Sequence, residues 1–259
     1  MISKKNSKTF FSFVVALALI LILLFPIIIF LSNTKAVIID EDFFQREFEK
    51  VGTYQRFSKE VADNTTTDLL LYLRFGNEKS DDDAQVLTFF NSRERDHLQE
   101  VRDVFQLGNR ILNASLFLTL ICALCLSMCC FFAKKKNLVD VSSVVYVKNK
   151  QINLFQTKNA FGIVLICGAL LTNVLLILFT FGAFHFDSAF TLFHEAVFER
   201  DTWMLSASDH LIQLYPFDFW LDAAVRILVR SLLFTNALLI LGLLLVMHSS
   251  ENLARKVLV

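Results

Sequence analysis

Four apolar runs, each long enough to cross a bilayer, constrain this chain more than anything else in it. A crossing helix needs roughly 20 successive apolar residues, and the runs occupy residues 10–31, 109–132, 159–182 and 227–247. Within hydrocarbon every backbone polar group must be satisfied inside its own segment, so these runs are read as helices. The expected fold class is an all-α membrane protein: four transmembrane helices with an extracytoplasmic, mostly helical cap. Pro26 in the first run is tolerated in a membrane helix. The rival reading of that run, a cleaved secretory signal, is disfavoured: the apolar stretch exceeds the usual roughly 7 to 15 residues and no small-x-small site follows.

Orientation follows from Lys and Arg in the connecting segments. Residues 1–9, 133–158 and 248–259 together hold eleven of them, opposed only by Asp140 and Glu251. The other two connections, 32–108 and 183–226, are more than twice as long in total, yet carry twelve basic residues and 23 of the 25 acids. Both termini and the middle loop are therefore expected in the cytoplasm, with the active site on the extracytoplasmic face. The segments are thus 1–31, N-terminal tail and first span; 32–108, extracytoplasmic domain; 109–182, second and third spans with their cytoplasmic loop; 183–226, motif-bearing extracytoplasmic loop; and 227–259, fourth span and tail. Net charge is zero, so there is no basic footprint for nucleic acid, and the expected partner is membrane lipid.

All five Cys fall in the spans. Cys122, Cys125 and Cys129 share a helix face beside Cys130, with Cys167 in the third span. Small, soft side chains of this kind serve as packing residues. The outward connections contain no Cys and must be held without disulfides.

In the first connection, Ser58 starts a helix through Leu69, Leu70, Tyr72 and Leu73 that Gly76 stops, and residues 77–83 form an acidic loop. Asn91 or Ser92 then caps an amphipathic helix through Arg93, His97, Leu98, Val101, Val104 and Phe105, leading toward the second span. His97 and Glu100, three apart, are neighbours on its surface, so the carboxylate is expected to orient the imidazole and favour its protonated form. In the second connection Phe186, Phe190, His194 and Phe198 are each four apart. Asp187, His194 and Asp201 return to one face if that helix continues. Arg110 and Asn113 in the second span, and Arg226 and Arg230 in the fourth, are costly in a membrane segment and suggest a polar pocket at its outer surface.

The stretch 193–220, FHEAVFERDTWMLSASDHLIQLYPFDFW, resembles the bacterial lipoprotein intramolecular transacylases in its Phe-His, Asp-x-Trp, Asp-x-Leu-Ile and aromatic-Pro elements. Ser92-Arg93-Glu94-Arg95-Asp96-His97-Leu98-Gln99-Glu100-Val101 is similar to the family's other motif. The chain departs from the pattern at Val197-Phe198, at Ser206-Ala207-Ser208, and at Glu100, which stands at an Asp position. The resemblance implies a membrane acyltransferase of the bacterial plasma membrane. It would move an acyl chain from the diacylglyceryl group of a diacylated bacterial lipoprotein to the α-amine of its N-terminal Cys, leaving the lyso-form.

Such a transfer needs a deprotonated amine, a polarised ester carbonyl and a protonated leaving alkoxide. No metal or cofactor is required, since the amine and ester belong to one substrate. His97 is assigned as general base oriented by Glu100, and His194 as carbonyl polariser or proton donor, with the two roles exchangeable. Asp201 and Asp209 are expected to fix loops by capping, Trp203 to anchor in the membrane interface, and Arg226 and Arg230 to meet substrate or lipid. Two alternatives stand beside this reading. One is a non-catalytic membrane sensor or scaffold; the other is a metal-dependent membrane hydrolase built from His185, His194, His210 and Asp201, for which the His-Glu-x-x-His spacing is lacking.

Overall fold

The computed structural model describes residues 4–75, 87–135, 144–147, 150–153 and 156–257. Gly76 and the acidic stretch 77–83 lie outside the described residues, as do Lys136, Asp140 and Lys148. In chain order the helices are α1 (Lys4–Ile38), α2 (Glu41–Lys50), α3 (Thr53–Arg56), α4 (Lys59–Phe75), α5 (Ser92–Lys135), α6 (Thr157–Phe184), α7 (Phe186–Val197), α8 (Arg200–Trp203), α9 (His210–Leu214) and α10 (Phe217–Val257). By length and composition four of them can cross a membrane: Thr9–Ile38, Ser92–Ala133, Thr157–Gly182 and Phe217–His248. Between α5 and α6 a hairpin pairs β1 (Val144–Val147) antiparallel with β2 (Lys150–Asn153), a detail the hydrophobic pattern does not reveal.

The chain divides into two compact units. The first comprises Met1–Phe30, Asn113–Leu176 and Ser231–Val259. Its core joins Val14, Leu17 and Leu21 of α1 to Cys122, Leu126, Cys130 and Ala133 of α5 and Val164 of α6. All five cysteines are free, and Cys122 and Cys130 are buried, as packing residues would be. Helices attract each other in lipid mainly by close packing, which small residues permit. A Cβ added to Gly162 of α6 would lie 2.9 Å from the Gly242 carbonyl oxygen of α10, and one added to Gly242 the same distance from the Gly162 oxygen. The two backbones therefore touch where no side chain intervenes. Phe25 of α1 likewise covers Gly168, whose added Cβ would meet its ring at 2.8 Å.

The second unit, Leu31–Leu112 and Ile177–Arg230, contains every residue of the candidate site. Its core is aromatic: Phe43, Phe44 and Phe48 of α2, Tyr72 of α4, Phe90 ahead of α5, Tyr215 after α9 and Phe219 of α10, with Leu98, Leu211 and Leu214 among them. These residues alternate with polar ones at helical spacing, so short, otherwise marginal helices are stabilised by the face they bury. Local signals set the boundaries. Asp40 Oδ1 accepts from the Phe43 N–H at 3.1 Å to cap α2, and Ser58 Oγ accepts from the Val61 N–H at the start of α4. Gly52 turns the chain between α2 and α3 at φ 75°, a conformation that favours glycine. Buried hydroxyls tie the segments together, with Thr66 Oγ1 and Tyr215 Oη 2.8 Å apart and Thr53 Oγ1 donating to the Leu214 carbonyl.

Helix α5 is continuous for 44 residues. At about 1.5 Å per residue that is roughly twice the hydrocarbon thickness of a bilayer. Its first turns, which carry His97, are polar, and the apolar stretch begins at Asn109.

Candidate active site

One stripe of α5 organises the site. Glu94, His97 and Glu100 are spaced by three, so they share a face, and each meets the 183–226 connection. Asn91 and Glu94 form a reciprocal cap: Asn91 Oδ1 accepts from the Glu94 N–H at 3.1 Å, and Glu94 Oε2 accepts from the Asn91 N–H at 2.7 Å. The other oxygen of Glu94 accepts from the Leu211 N–H at 2.6 Å, satisfying a donor in the first turn of α9. This carboxylate is only 1% exposed, and the sequence reading passed over it. The signal was available in the Asn-x-x-Glu spacing ahead of an apolar run.

Glu100 performs the equivalent task two turns on. Its Oε1 accepts from the N–H of Glu199, the residue that begins α8, and its Oε2 accepts from Thr202 Oγ1 at 2.6 Å. His97 Nδ1 lies 3.9 Å from the same Oε2, an electrostatic contact beyond hydrogen-bond length. The expectation that Glu100 favours the protonated imidazole is therefore reversed in the net. Burial, and then the neighbouring His194, push His97 down to about 4, outweighing the carboxylate. His97 is 7% exposed and its Nδ1 is buried without a hydrogen-bond partner.

His194 faces His97 with ring centroids 5.9 Å apart. It is 8% exposed and walled by aromatic rings: Phe190 at 4.0 Å, Phe198 and Trp203 at 5.2 Å and Phe193 at 5.5 Å between centroids. Phe198 also meets the His97 ring edge-on at 4.8 Å, so one side chain touches both imidazoles. His194 Nδ1 is 2.7 Å from the Phe190 carbonyl oxygen, which can only accept, so the proton sits on Nδ1 and Nε2 carries the lone pair. In that tautomer its one N–H is already engaged. Burial holds its pKa below the usual histidine value despite that hydrogen bond. The site thus presents two imidazoles that are neutral at pH 7.

The remaining expected residues divide. Helix α7 ends at Val197 and Phe198 is extended, so the sevenfold repeat breaks before Asp201, which is exposed in the first turn of α8 rather than beside His194. Asp209 precedes α9 but does not cap it with its side chain. It fixes the loop instead, accepting from the Ser206 N–H and from Asn91 Nδ2. Trp203 lines the site against His194, with its Nε1 buried and without a partner. Arg226 donates to Asp40 Oδ2 at 2.6 Å and lies over the Phe43 ring, pinning the residue that caps α2. Arg230, one turn on, is exposed, as are Arg110 and Asn113. His185 begins α7, and His210 donates from Nδ1 to the Phe89 carbonyl while stacking on that ring. Among the described residues no three His, Cys, Asp or Glu side chains converge as metal ligands would. The set His185, His194, His210 and Asp201 is not brought together.

The fold and this arrangement define a class: a membrane-integral helical protein that holds two buried histidines together inside an aromatic wall. The family model for the lipoprotein intramolecular transacylase Lit matches residues 19–220. The chain belongs to that family of membrane acyltransferases. It is similar in fold to the membrane integral lipoprotein intramolecular transacylase Lit from Bacillus cereus, with a TM-score of 0.71 at 20% identity over 91% of this chain and 97% of that one. A variant of the same B. cereus protein with one histidine replaced by alanine gives a TM-score of 0.69 at 19% identity, covering 94% and 98% of the two chains. An uncharacterized protein of Aquifex aeolicus (strain VF5) is 35% identical over 82 residues, 31% of this chain. That match spans 38% of the relative's length.

Proposed function

We propose that this chain transfers an acyl group from the glycerol ester of a diacylated lipoprotein to the α-amine of that lipoprotein's N-terminal Cys, with His97 and His194 as the proton-handling residues. The observation that carries the reading is the pairing of two buried imidazoles, 5.9 Å between centroids, from separate segments of the chain. Both have pKa values lowered by burial.

The proton count explains why two are used. An α-amine with an ordinary pKa near 7.7 to 8.0 arrives as an ammonium at neutral pH, and the amide product keeps one N–H. Two protons must therefore leave nitrogen. One ends on the glycerol oxygen when the carbon–oxygen bond breaks, and the other is released to solvent. His97 takes the first proton, freeing the nitrogen lone pair to form the carbon–nitrogen bond, and the Glu100 carboxylate 3.9 Å away favours the imidazolium that results. His194 takes the second through Nε2 and passes it to the departing alkoxide. Nucleophile and electrophile come from one molecule, so the protein supplies alignment and proton acceptors. Glu100 and Asp209 hold the loops that bear the wall, Arg226 braces Asp40, and Arg230 meets the polar part of substrate or lipid.

Segments 32–108 and 183–226 face the extracytoplasmic side of the bacterial plasma membrane in this reading, with both termini in the cytoplasm. The charge distribution supports that orientation, and a reporter fused after Val259 that proved external would overturn it. The chemistry is tested by mass spectrometry of lipoprotein N-termini in cells expressing His97→Ala, His194→Ala or both. Each single variant should lose lyso-form product at normal membrane abundance, and the double variant should be scarcely worse, because groups acting as a unit are not additive. Substantial product from the double variant would refute the assignment.

A further inference from the structure

The chain has two tryptophans, and they differ in one respect. Trp220 donates from Nε1 to the Tyr215 carbonyl at 3.0 Å. Trp203 Nε1 is buried and has no partner. A buried indole N–H normally finds an acceptor, and leaving it without one costs free energy. Its position makes the omission informative, since the Trp203 ring is 5.2 Å from that of His194. The segment is also held firmly, with Glu100 accepting hydrogen bonds from the Glu199 N–H and Thr202 Oγ1 just before the tryptophan.

The chemistry requires a donor that the histidines do not supply. As the amine adds, negative charge develops on the ester carbonyl oxygen and must be met by a preorganised N–H or O–H. His194 spends its N–H on the Phe190 carbonyl. The His97 Nδ1 position faces the Glu100 carboxylate, which favours the proton there. Both imidazoles then offer lone pairs, suited to taking protons from nitrogen and unsuited to stabilising an oxyanion. The other buried donors without partners that belong to long cationic side chains sit elsewhere: Arg226 on Asp40 and Phe43, and Arg102 over the Tyr72 ring.

We propose that Trp203 is a catalytic residue of this site, its Nε1–H hydrogen-bonding the ester carbonyl oxygen of the acyl donor and stabilising the charge on that oxygen as the carbon becomes tetrahedral. This rests on the transacylase reading above and extends it. The indole gives up no proton. It holds the oxygen while the carbon–nitrogen bond forms and releases it when the carbon–oxygen bond to glycerol breaks.

The test replaces only the N–H. Full-length protein in proteoliposomes is prepared with 3-benzothienylalanine at position 203, which keeps the fused ring and exchanges N–H for sulfur. Trp203→Phe, His97→Ala and His194→Ala are made in parallel. The probe is a synthetic lipopeptide bearing an S-diacylglyceryl Cys at its N-terminus. The benzothienyl variant should lose about 100-fold in kcat, the usual consequence of removing one oxyanion donor, with KM within a few-fold of the parent. Trp203→Phe should lose at least as much, and a normal thermal unfolding transition in the benzothienyl variant separates lost chemistry from lost folding. If the benzothienyl variant turns over within threefold of the parent while both histidine variants are inactive, the proposal for Trp203 fails and the histidine reading stands. If the histidine variants are active, both fail.

Discussion

Glu94→Ala should be among the most damaging single substitutions outside the histidine pair, and its effect can be worked from the bonds it breaks. The carboxylate accepts from Asn91 N–H at 2.7 Å and Leu211 N–H at 2.6 Å while almost fully enclosed. Hydrogen bonds to a charged partner contribute about 1.5 to 3 kcal/mol each, and alanine leaves the Leu211 N–H buried and unpaired. The expected loss is about 3 to 5 kcal/mol. For a chain of this size each kcal/mol lowers Tm by about 2 to 4 °C, so a drop of roughly 10 °C is expected in detergent-purified protein. Glu94→Gln keeps one acceptor oxygen and should lose about half as much. The measurement is thermal unfolding of parent and variants in the same detergent, with lipopeptide turnover followed well below each Tm. Turnover should also fall, because α9 and the start of α5 lose their shared anchor. A Glu94→Ala protein melting within 2 °C of the parent would show that this carboxylate does not join the two segments.

Other perturbations have different signatures. Acidification should destabilise the protein through His97, whose folded pKa of about 4 lies below its unfolded value of 6.5. Between those values only the unfolded chain binds the proton, so the stability present above pH 6.5 is lost as pH falls toward 4. The loss should reach about 3 kcal/mol, and unfolding midpoints of parent and His97→Asn compared from pH 7.5 to 4.5 should converge. Gly162→Leu should prevent normal packing of α6 on α10, since even its Cβ would fall 2.6 Å from Val246 Cγ2, and the folded fraction after detergent extraction reports it. Arg226→Ala should lower Tm with a modest effect on kcat, whereas Arg230→Ala should spare Tm and raise KM for the lipopeptide. The reverse pattern would exchange their roles.

Legibility in the sequence followed the range of the interaction. The four spans were readable because hydrocarbon imposes a length and a polarity on each helix without regard to tertiary partners. Ser58, and the run of α5 into the second span, were readable because caps and helical periodicity are local. The face shared by Asp187, His194 and Asp201 was conditional on the helix continuing, and spacing says nothing about where a helix stops. Phe198 leaves the helix in extended conformation, which aims its ring at both histidines and ends the repeat. Glu94 and Glu100 show the same limit in another form. The Asn91-x-x-Glu94 spacing marks a local cap, but the second oxygen of Glu94 and Oε1 of Glu100 meet backbone N–H groups 117 and 99 residues away, which no local pattern encodes. Arg226 pairs with Asp40, 186 positions distant, which the sequence does not reveal either.

The pairing of carboxylates with helix starts also explains how a small aromatic site keeps its shape without disulfides. Helices α8 and α9 have four and five residues, too few to be stable alone. Each begins against a carboxylate on one stripe of α5, and His97 lies on that stripe between them. Whatever fixes α5 therefore fixes one imidazole, the residue beginning α8, and the first turn of α9 in register. The aromatic wall excludes water from both rings, and this exclusion lowers their proton affinity so that both remain neutral. A drier wall would weaken them as bases, and a wetter one would let them protonate before substrate arrived. The edge-on contact of Phe198 with His97 sits at that balance point. Its replacement by alanine, which admits water to both rings, should raise the pH at which activity is lost to acid while leaving the carboxylate anchors in place.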